Sequence, residues 1–371
     1  MSCHTRAGGH PFAGGLGLET PFGIIYSPNI TSDRQTGVGG WTPAQFYDAL
    51  HKGRSDDGDR LYPAMPYPHF TVLGRADTDA ILAFLKTVPP EHYSQPANRL
   101  PFPLDIRLAM IGWNMLNFSP HGFKGDPRQS AEWNRGAYLV EGPGHCGACH
   151  TEKTALGAEK HDKALQGSVI ENRFAPDLTG NSRTGLGRWS AADIVEYLRT
   201  GRNRHAGAVG QMAEVVTYST SLLSDADLNA IATYLKSLPP SPQAAFAAPS
   251  AAAMRAGGAV FFDACTACHL VHGKGQPRMF PPLAGSAVAQ QRNPTGLIGL
   301  ILAGGRTAPT LQRPSFQTMP SFAWKLDDQE VADVATYVRN SWGNQASPVS
   351  AKQVSKIRSK LNLRPVLRSG D

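Results

Sequence analysis

Apolar residues recur at helical spacing in short runs, separated by polar, glycine-rich stretches. In residues 77–88, Ile81, Leu82, Leu85 and Val88 fall on one face of a 3.6-residue period. Comparable runs occupy 43–52, 130–141, 191–200, 224–238, 251–264, 295–303 and 327–342. Thr42 and Ser190 stand where N-caps belong. Pro89-Pro90 and Pro239-Pro240 stop two of the runs, and Gly53-Arg54, Gly201-Arg202 and Gly304-Gly305-Arg306 close three others. With 38 glycines and 29 prolines, the pattern predicts an all-α fold of short helices joined by long ordered loops.

The runs fall into a unit repeated three times. Ser27-Pro28-Asn29-Ile30-Thr31 and Gly37-Val38-Gly39-Gly40-Trp41-Thr42 recur as Ala175-Pro176-Asp177-Leu178-Thr179 and Gly185-Leu186-Gly187-Arg188-Trp189-Ser190. The third copy is shorter, Phe280-Pro281-Pro282-Leu283-Ala284-Gly285. Each unit then has a helix, a loop with one methionine and a closing helix. The expected domains are 1–90, 129–240 and 251–343, with linkers at 91–128 and 241–250 and a basic tail at 344–371. The second linker is rich in Pro, Ala and Ser and reads as semi-extended. Within the first, residues 104–118 are mostly apolar, with only Asp105 and Arg107 charged. The tail places Val354, Ile357 and Leu361 on one face among Lys352, Lys356, Arg358 and Lys360.

Length and charge narrow the picture. The 371 residues suit two or three domains. A net charge of +7 without base-stacking aromatics on a basic helix gives no case for nucleic acid. No stretch of about 18 apolar residues is present, and no signal peptide is legible.

The chemistry lies at the head of each unit. Cys146-Gly147-Ala148-Cys149-His150 and Cys265-Thr266-Ala267-Cys268-His269 spell C-x-x-C-H, the attachment pattern for c-type haem. Two thiols at this spacing can add to the two vinyl groups of one porphyrin, and the next residue offers the iron a nitrogen. Met1-Ser2-Cys3-His4 reads as the same pattern without its first cysteine. Such haem is attached outside the cytoplasm, so the expectation is a sequence that starts inside the first motif, downstream of a leader. Candidate sixth ligands are Met65, Met212 and Met319, which lie 61, 62 and 50 residues after His4, His150 and His269. A thioether sulfur favours Fe(II) and raises the potential. Met279 reads as loop packing. Pro28, Pro176 and Pro281 are placed to offer a carbonyl to the other nitrogen of each histidine, although plain turn formation explains them equally. A Cys₄ zinc site and a dithiol redox pair are the rival readings of the cysteines. Against zinc, each pair is followed directly by His and heads its own repeat. Against the dithiol, no βαβ pattern is found. His51, His69, His145, His205 and His272 follow no repeat logic and read as surface or hydrogen-bonding residues.

Several stretches together resemble a known family. They are Gly9–Gly15 (GHPFAGG), Tyr26–Thr31 (YSPNIT), Tyr62–Tyr67 (YPAMPY), Ala131–Val140 (AEWNRGAYLV), Gly144–His150 (GHCGACH) and Met319–Phe322 (MPSF). The chain resembles the triple-haem cytochrome c subunits of membrane-bound alcohol, gluconate, sorbitol, fructose and aldehyde dehydrogenase complexes. The resemblance implies three tandem class I cytochrome c domains, peripheral on the periplasmic face of the bacterial inner membrane. Haem c would be held covalently by Cys3, Cys146, Cys149, Cys265 and Cys268. The axial pairs would be His4 with Met65, His150 with Met212, and His269 with Met319. It also implies a role that is not enzymatic by itself: taking electrons from a catalytic dehydrogenase subunit (of flavin, quinone or molybdenum type) and passing them to membrane ubiquinone. A cytochrome feeding a terminal oxidase and a multi-haem peroxidase are the alternatives. The tail and residues 104–118 are the expected surfaces for anionic lipid or a partner.

Overall fold

A computed structural model describes residues 3–170, 173–243, 245–364 and 366. Met1 and Ser2 of the first motif and the last tail residues fall outside these. The chain forms two compact units, Met1–Ala148 with Thr154–Ala158, and Cys149–Lys153 with Glu159–Asp371.

The first unit opens with the hairpin β1 (Gly17–Thr20) and β2 (Gly23–Tyr26). The helices α1 (Pro43–Lys52), α2 (Tyr67–Phe70), α3 (Arg75–Leu85), α4 (Ala109–Asn117) and α5 (Ala131–Glu141) follow. A capping box at Thr42 and Gln45 starts α1, and left-handed Gly53 ends it. Phe46, Leu50, Leu73, Leu82 and Leu85 form the core between α1 and α3.

The short helix α6 (Cys146–His150) leads into the second unit. There the ladder β3 (Ser168–Ile170) and β4 (Arg173–Ala175) precedes α7 (Ala191–Thr200), α8 (Gln211–Tyr218) and α9 (Asp225–Ser237). Next come α10 (Ala251–Ala264), α11 (Thr266–His269), α12 (Ala287–Gln290) and α13 (Thr295–Ala303). The ladder β5 (Gly305–Arg306) and β6 (Thr318–Met319), α14 (Asp328–Asn340) and α15 (Ala351–Lys360) complete it. The described chain is thus helix-rich, with three two-stranded antiparallel ladders as the departure from a purely helical expectation.

The loop between proline and helix has the same build in the first two repeats. Val38 N–H donates to the Thr31 carbonyl at 2.9 Å, and Leu186 N–H to the Thr179 carbonyl at 2.8 Å. A Cβ on Gly37 or Gly185 would lie 2.4 Å from that same carbonyl oxygen. The repeated glycines are therefore dictated by close backbone approach.

The tail differs from its expectation as a free surface. Val354 and Ile357 are buried in the core built on α10, α13 and α14. Arg358 is 2 % exposed; its guanidinium donates to the Ala323 and Leu326 carbonyls and pairs with Asp328 at 2.7 Å. Arg339, pushed down to about 10 by burial, holds the Ser347 and Ala289 carbonyls at 3.0 Å. The apolar face of α15 is spent internally, because burying it against a core removes more apolar surface from water than a lone amphipathic helix could.

Candidate functional site

The three motif histidines share one local geometry. His4 Nδ1 lies 2.9 Å from the Pro28 carbonyl, His150 Nδ1 2.6 Å from that of Pro176, and His269 Nδ1 3.0 Å from that of Pro281. A carbonyl only accepts, so Nδ1 carries the proton and the neutral ring keeps its lone pair on Nε2. The expected proline contacts are present in all three repeats.

Burial pushes His4, His150 and His269 below the ordinary histidine value, outweighing the opposite pull of the proline carbonyls. Each ring is neutral at pH 7, the form that ligates metal.

A second contact, absent from the sequence reading, accompanies the first. The N–H groups of Gly14, Gly167 and Gly275 donate to the carbonyls of His4, His150 and His269 at 2.8, 2.8 and 3.0 Å. All three glycines have positive φ, at 76°, 90° and 55°. Each lies against the segment that carries the proline carbonyl: a Cβ would come within 2.6 Å of the Pro28 oxygen, 3.0 Å of the Ala175 oxygen and 2.2 Å of the Phe280 oxygen. Glycine alone lets the histidine backbone and the proline segment close on each other. Positive φ leaves no periodic signal, which is why the pattern was missed. Gly275→Ala is expected to disturb the His269 ring while leaving the cysteines in place. The third site should keep its covalent haem but show a broadened, partly high-spin spectrum, and stability should fall by about 1–3 kcal/mol. An unchanged spectrum and stability would count against this role.

The cysteines sit beside these rings. α6 carries Cys146, Cys149 and His150, and α11 follows Cys265 with Cys268 and His269. Cys3 is exposed, and none of the five is in a disulfide. Burial pushes the Cys265 thiol up to about 11, the opposite of a reactive redox thiol. Among the described residues no three His, Cys, Asp or Glu side chains converge as a zinc site requires.

The three methionines are half-buried against apolar clusters. Met65 lies in the turn before α2 and packs on the cluster of Phe46, Leu50 and Leu73. Met319 lies on β6, against the core of α10, α13 and α14. Met212 is the correction: it lies in the first turn of α8, not in a loop, and packs on the cluster of Ala208, Val216 and Ala308. Gly210, at φ 59°, starts that helix early. Met279 is half-exposed on a loop.

Trp41 and Trp189, repeated in the sequence but given no role there, stand near these methionines. Trp41 packs on Phe46 and the Met65 cluster. Trp189 meets Tyr197 edge-on and stacks on His205 at 5.2 Å. The other histidines pair or stack, His69 with the Glu141 carbonyl at 2.9 Å and His51 on Tyr47, except exposed His272.

Thiols and an imidazole at Cys146, Cys149 and His150 and at Cys265, Cys268 and His269, with Cys3 beside His4 and one methionine in each repeat, are the donor types that haem c takes. Such a set defines a c-type cytochrome, and the cytochrome c family model matches residues 134–239 and 254–342. The chain belongs to the cytochrome c family, whose members hold haem covalently. It is 41 % identical over 379 residues to the cytochrome c subunit of the quinone alcohol dehydrogenase of Gluconacetobacter polyoxogenes, covering 96 % of this chain and 81 % of that one. It is 41 % identical to the gluconate 2-dehydrogenase cytochrome c subunit of Pantoea cypripedii, covering 96 % and 86 %. Identity to the fructose dehydrogenase cytochrome subunit of Gluconobacter japonicus is 35 %, covering 96 % and 79 %.

Proposed function

We propose that the chain is the electron-transfer subunit of a membrane-associated dehydrogenase complex. It takes electrons from a catalytic subunit and delivers them to membrane ubiquinone from the periplasmic side. Three tandem class I domains would each hold a haem, through Cys3, through Cys146 and Cys149, and through Cys265 and Cys268. His4 with Met65, His150 with Met212 and His269 with Met319 would ligate the iron. Bound haem supplies a reversible one-electron couple. The protein's part is to fix the ligands: the proline carbonyl sets tautomer and ring orientation, the glycine N–H anchors the histidine backbone, and burial keeps the ring neutral.

The carrying observation is the threefold His–Pro–Gly geometry in a chain whose relatives are dehydrogenase cytochrome subunits. A half-buried methionine in every repeat, which would supply a second iron ligand, favours an electron carrier over the open site of a peroxidase.

The test uses the haem-loaded chain purified with its membrane partners. Pyridine haemochrome should count three haems per chain. Ethanol, gluconate or fructose should reduce the haems through the catalytic subunit, and short-chain ubiquinone should reoxidise them. High-spin haem turning over hydrogen peroxide would select the peroxidase. Reoxidation by a terminal oxidase and not by quinone would select the oxidase-linked cytochrome.

A further inference from the structure

The connector helix α4 is built inside out. Its polar Asn114 points inward, 8 % exposed, and accepts a 2.6 Å hydrogen bond from the hydroxyl of fully buried Tyr67. Burial raises Tyr67 well above the ordinary tyrosine value, so it remains a donor. Trp113 meets the Tyr67 ring edge-on, and its indole N–H holds the Leu156 carbonyl at 2.8 Å. Apart from buried Met110, the large alkyl residues face out: Leu108 is 71 % exposed, Met115 82 % and Leu116 77 %, with Ile111 beside them. Phe102, 80 % exposed, continues the surface. An exposed patch of large alkyl and aromatic side chains marks a contact surface.

We infer that this outward face of α4 is the chain's lipid contact, seated in the headgroup–acyl boundary of the bilayer. The inference rests on the reading that electrons leave for a quinone dissolved in lipid. Three observations favour lipid over a protein partner. First, Leu108, Ile111, Met115 and Leu116 offer no side-chain hydrogen-bonding group. Protein interfaces carry about one hydrogen bond per 100–200 Å², and lipid needs none. Second, no Asp, Glu, Lys or Arg lies between Arg107 and Lys124. Lys124 at the far edge is an exposed cation suited to lipid phosphate, while Arg107 is engaged by Asp59 at 3.4 Å and by the Arg60 carbonyl at 3.0 Å. Third, the other surface expected to meet lipid, the α15 face, is buried. The depth reached would be on the order of 5–10 Å.

The experiment is vesicle flotation of the haem-loaded chain with phosphatidylethanolamine–phosphatidylglycerol vesicles. Wild type should float, and should still float in salt high enough to screen surface charge. Met115→Glu and Leu116→Glu should each lower the partition by about tenfold with an unchanged haem spectrum, because both side chains already face solvent. Leu311→Glu, at a residue 86 % exposed in the other unit, should change nothing. Binding that salt abolishes, or that the α4 variants leave intact, overturns the inference. So does wild type that stays off vesicles while Met115→Glu breaks its complex with the catalytic subunit, which would make α4 a protein interface. Reoxidation by water-soluble ubiquinone is read separately. If it persists without vesicle binding, the lipid contact fails and the electron-transfer role stands.

Discussion

Met319→His is expected to lower the midpoint potential of one haem by a few hundred millivolts while the haem count stays the same. Axial ligands span roughly 0.8 V of haem potential. Thioether sulfur stabilises Fe(II), whereas a second imidazole stabilises Fe(III). Met319 lies on β6, pinned by its ladder with β5 and packed against the domain core, so a histidine there is presented from the same backbone. Met279 lies ten residues after His269 and is 50 % exposed. Met279→Leu should therefore leave every potential where it is. Spectroelectrochemical titration of the haem-loaded chain reads both variants. If Met279→Leu moved a potential and Met319→His did not, the ligand assignment of the third repeat would be wrong. With the potential of one carrier lowered so far, an electron entering that haem moves uphill, so transfer through it toward quinone should slow as well, although the catalytic subunit still reduces the other haems.

Gly257→Ala should cost about 3 kcal/mol or more, a large effect for one methyl group. At Gly257 α10 crosses α14, and an added Cβ would stand 2.0 Å from the Asp333 carbonyl oxygen and 2.6 Å from its carbon. The obstacle is backbone inside a helix, so the two helices must separate. Phe261, fully buried one turn further along α10 between the Tyr337 and Trp342 rings, would lose its packing with them. The neighbouring Gly258 is the control. Its Cβ would meet only the Tyr337 ring edge, at 3.2 Å, so Gly258→Ala should be close to neutral as helix propensity offsets a small adjustment. Urea denaturation compares the two. Equal stabilities would mean that α10 and α14 do not pack as described. Because α10 leads directly into Cys265, Gly257→Ala should also lower the yield of haem at the third site.

Much of this was written in local sequence. The helices at 43–52, 191–200, 251–264 and 295–303 have the expected bounds, because N-caps, stops and a 3.6-residue period act within a few residues of one another. The haem motifs are local for the same reason: thiol, thiol and imidazole must reach one porphyrin. The proline carbonyls were only half legible: a loop proline recurs 24, 26 or 12 positions after each histidine, but turn formation explains it equally, and the carbonyl contact came from the structure.

Other features were decided only when distant segments met. Val354, Ile357 and Leu361 made the tail look like a membrane helix, yet α15 packs on α13 and α14; an amphipathic pattern records that one face is buried, not what buries it. Residues 104–118 read as an apolar stretch that could meet lipid or a partner, but which side chains face outward was decided by the long-range packing of Asn114 and Met110 inward, with Asn114 on Tyr67. Gly14, Gly167 and Gly275 looked like ordinary loop glycines until the proline segment closed on them. Composition and motif spacing determine that this chain is a helical c-type cytochrome, since those constraints are covalent or within a helical turn. Which apolar faces are spent in the core and which are left for a partner depends on contacts tens of residues apart, and no local pattern carries that.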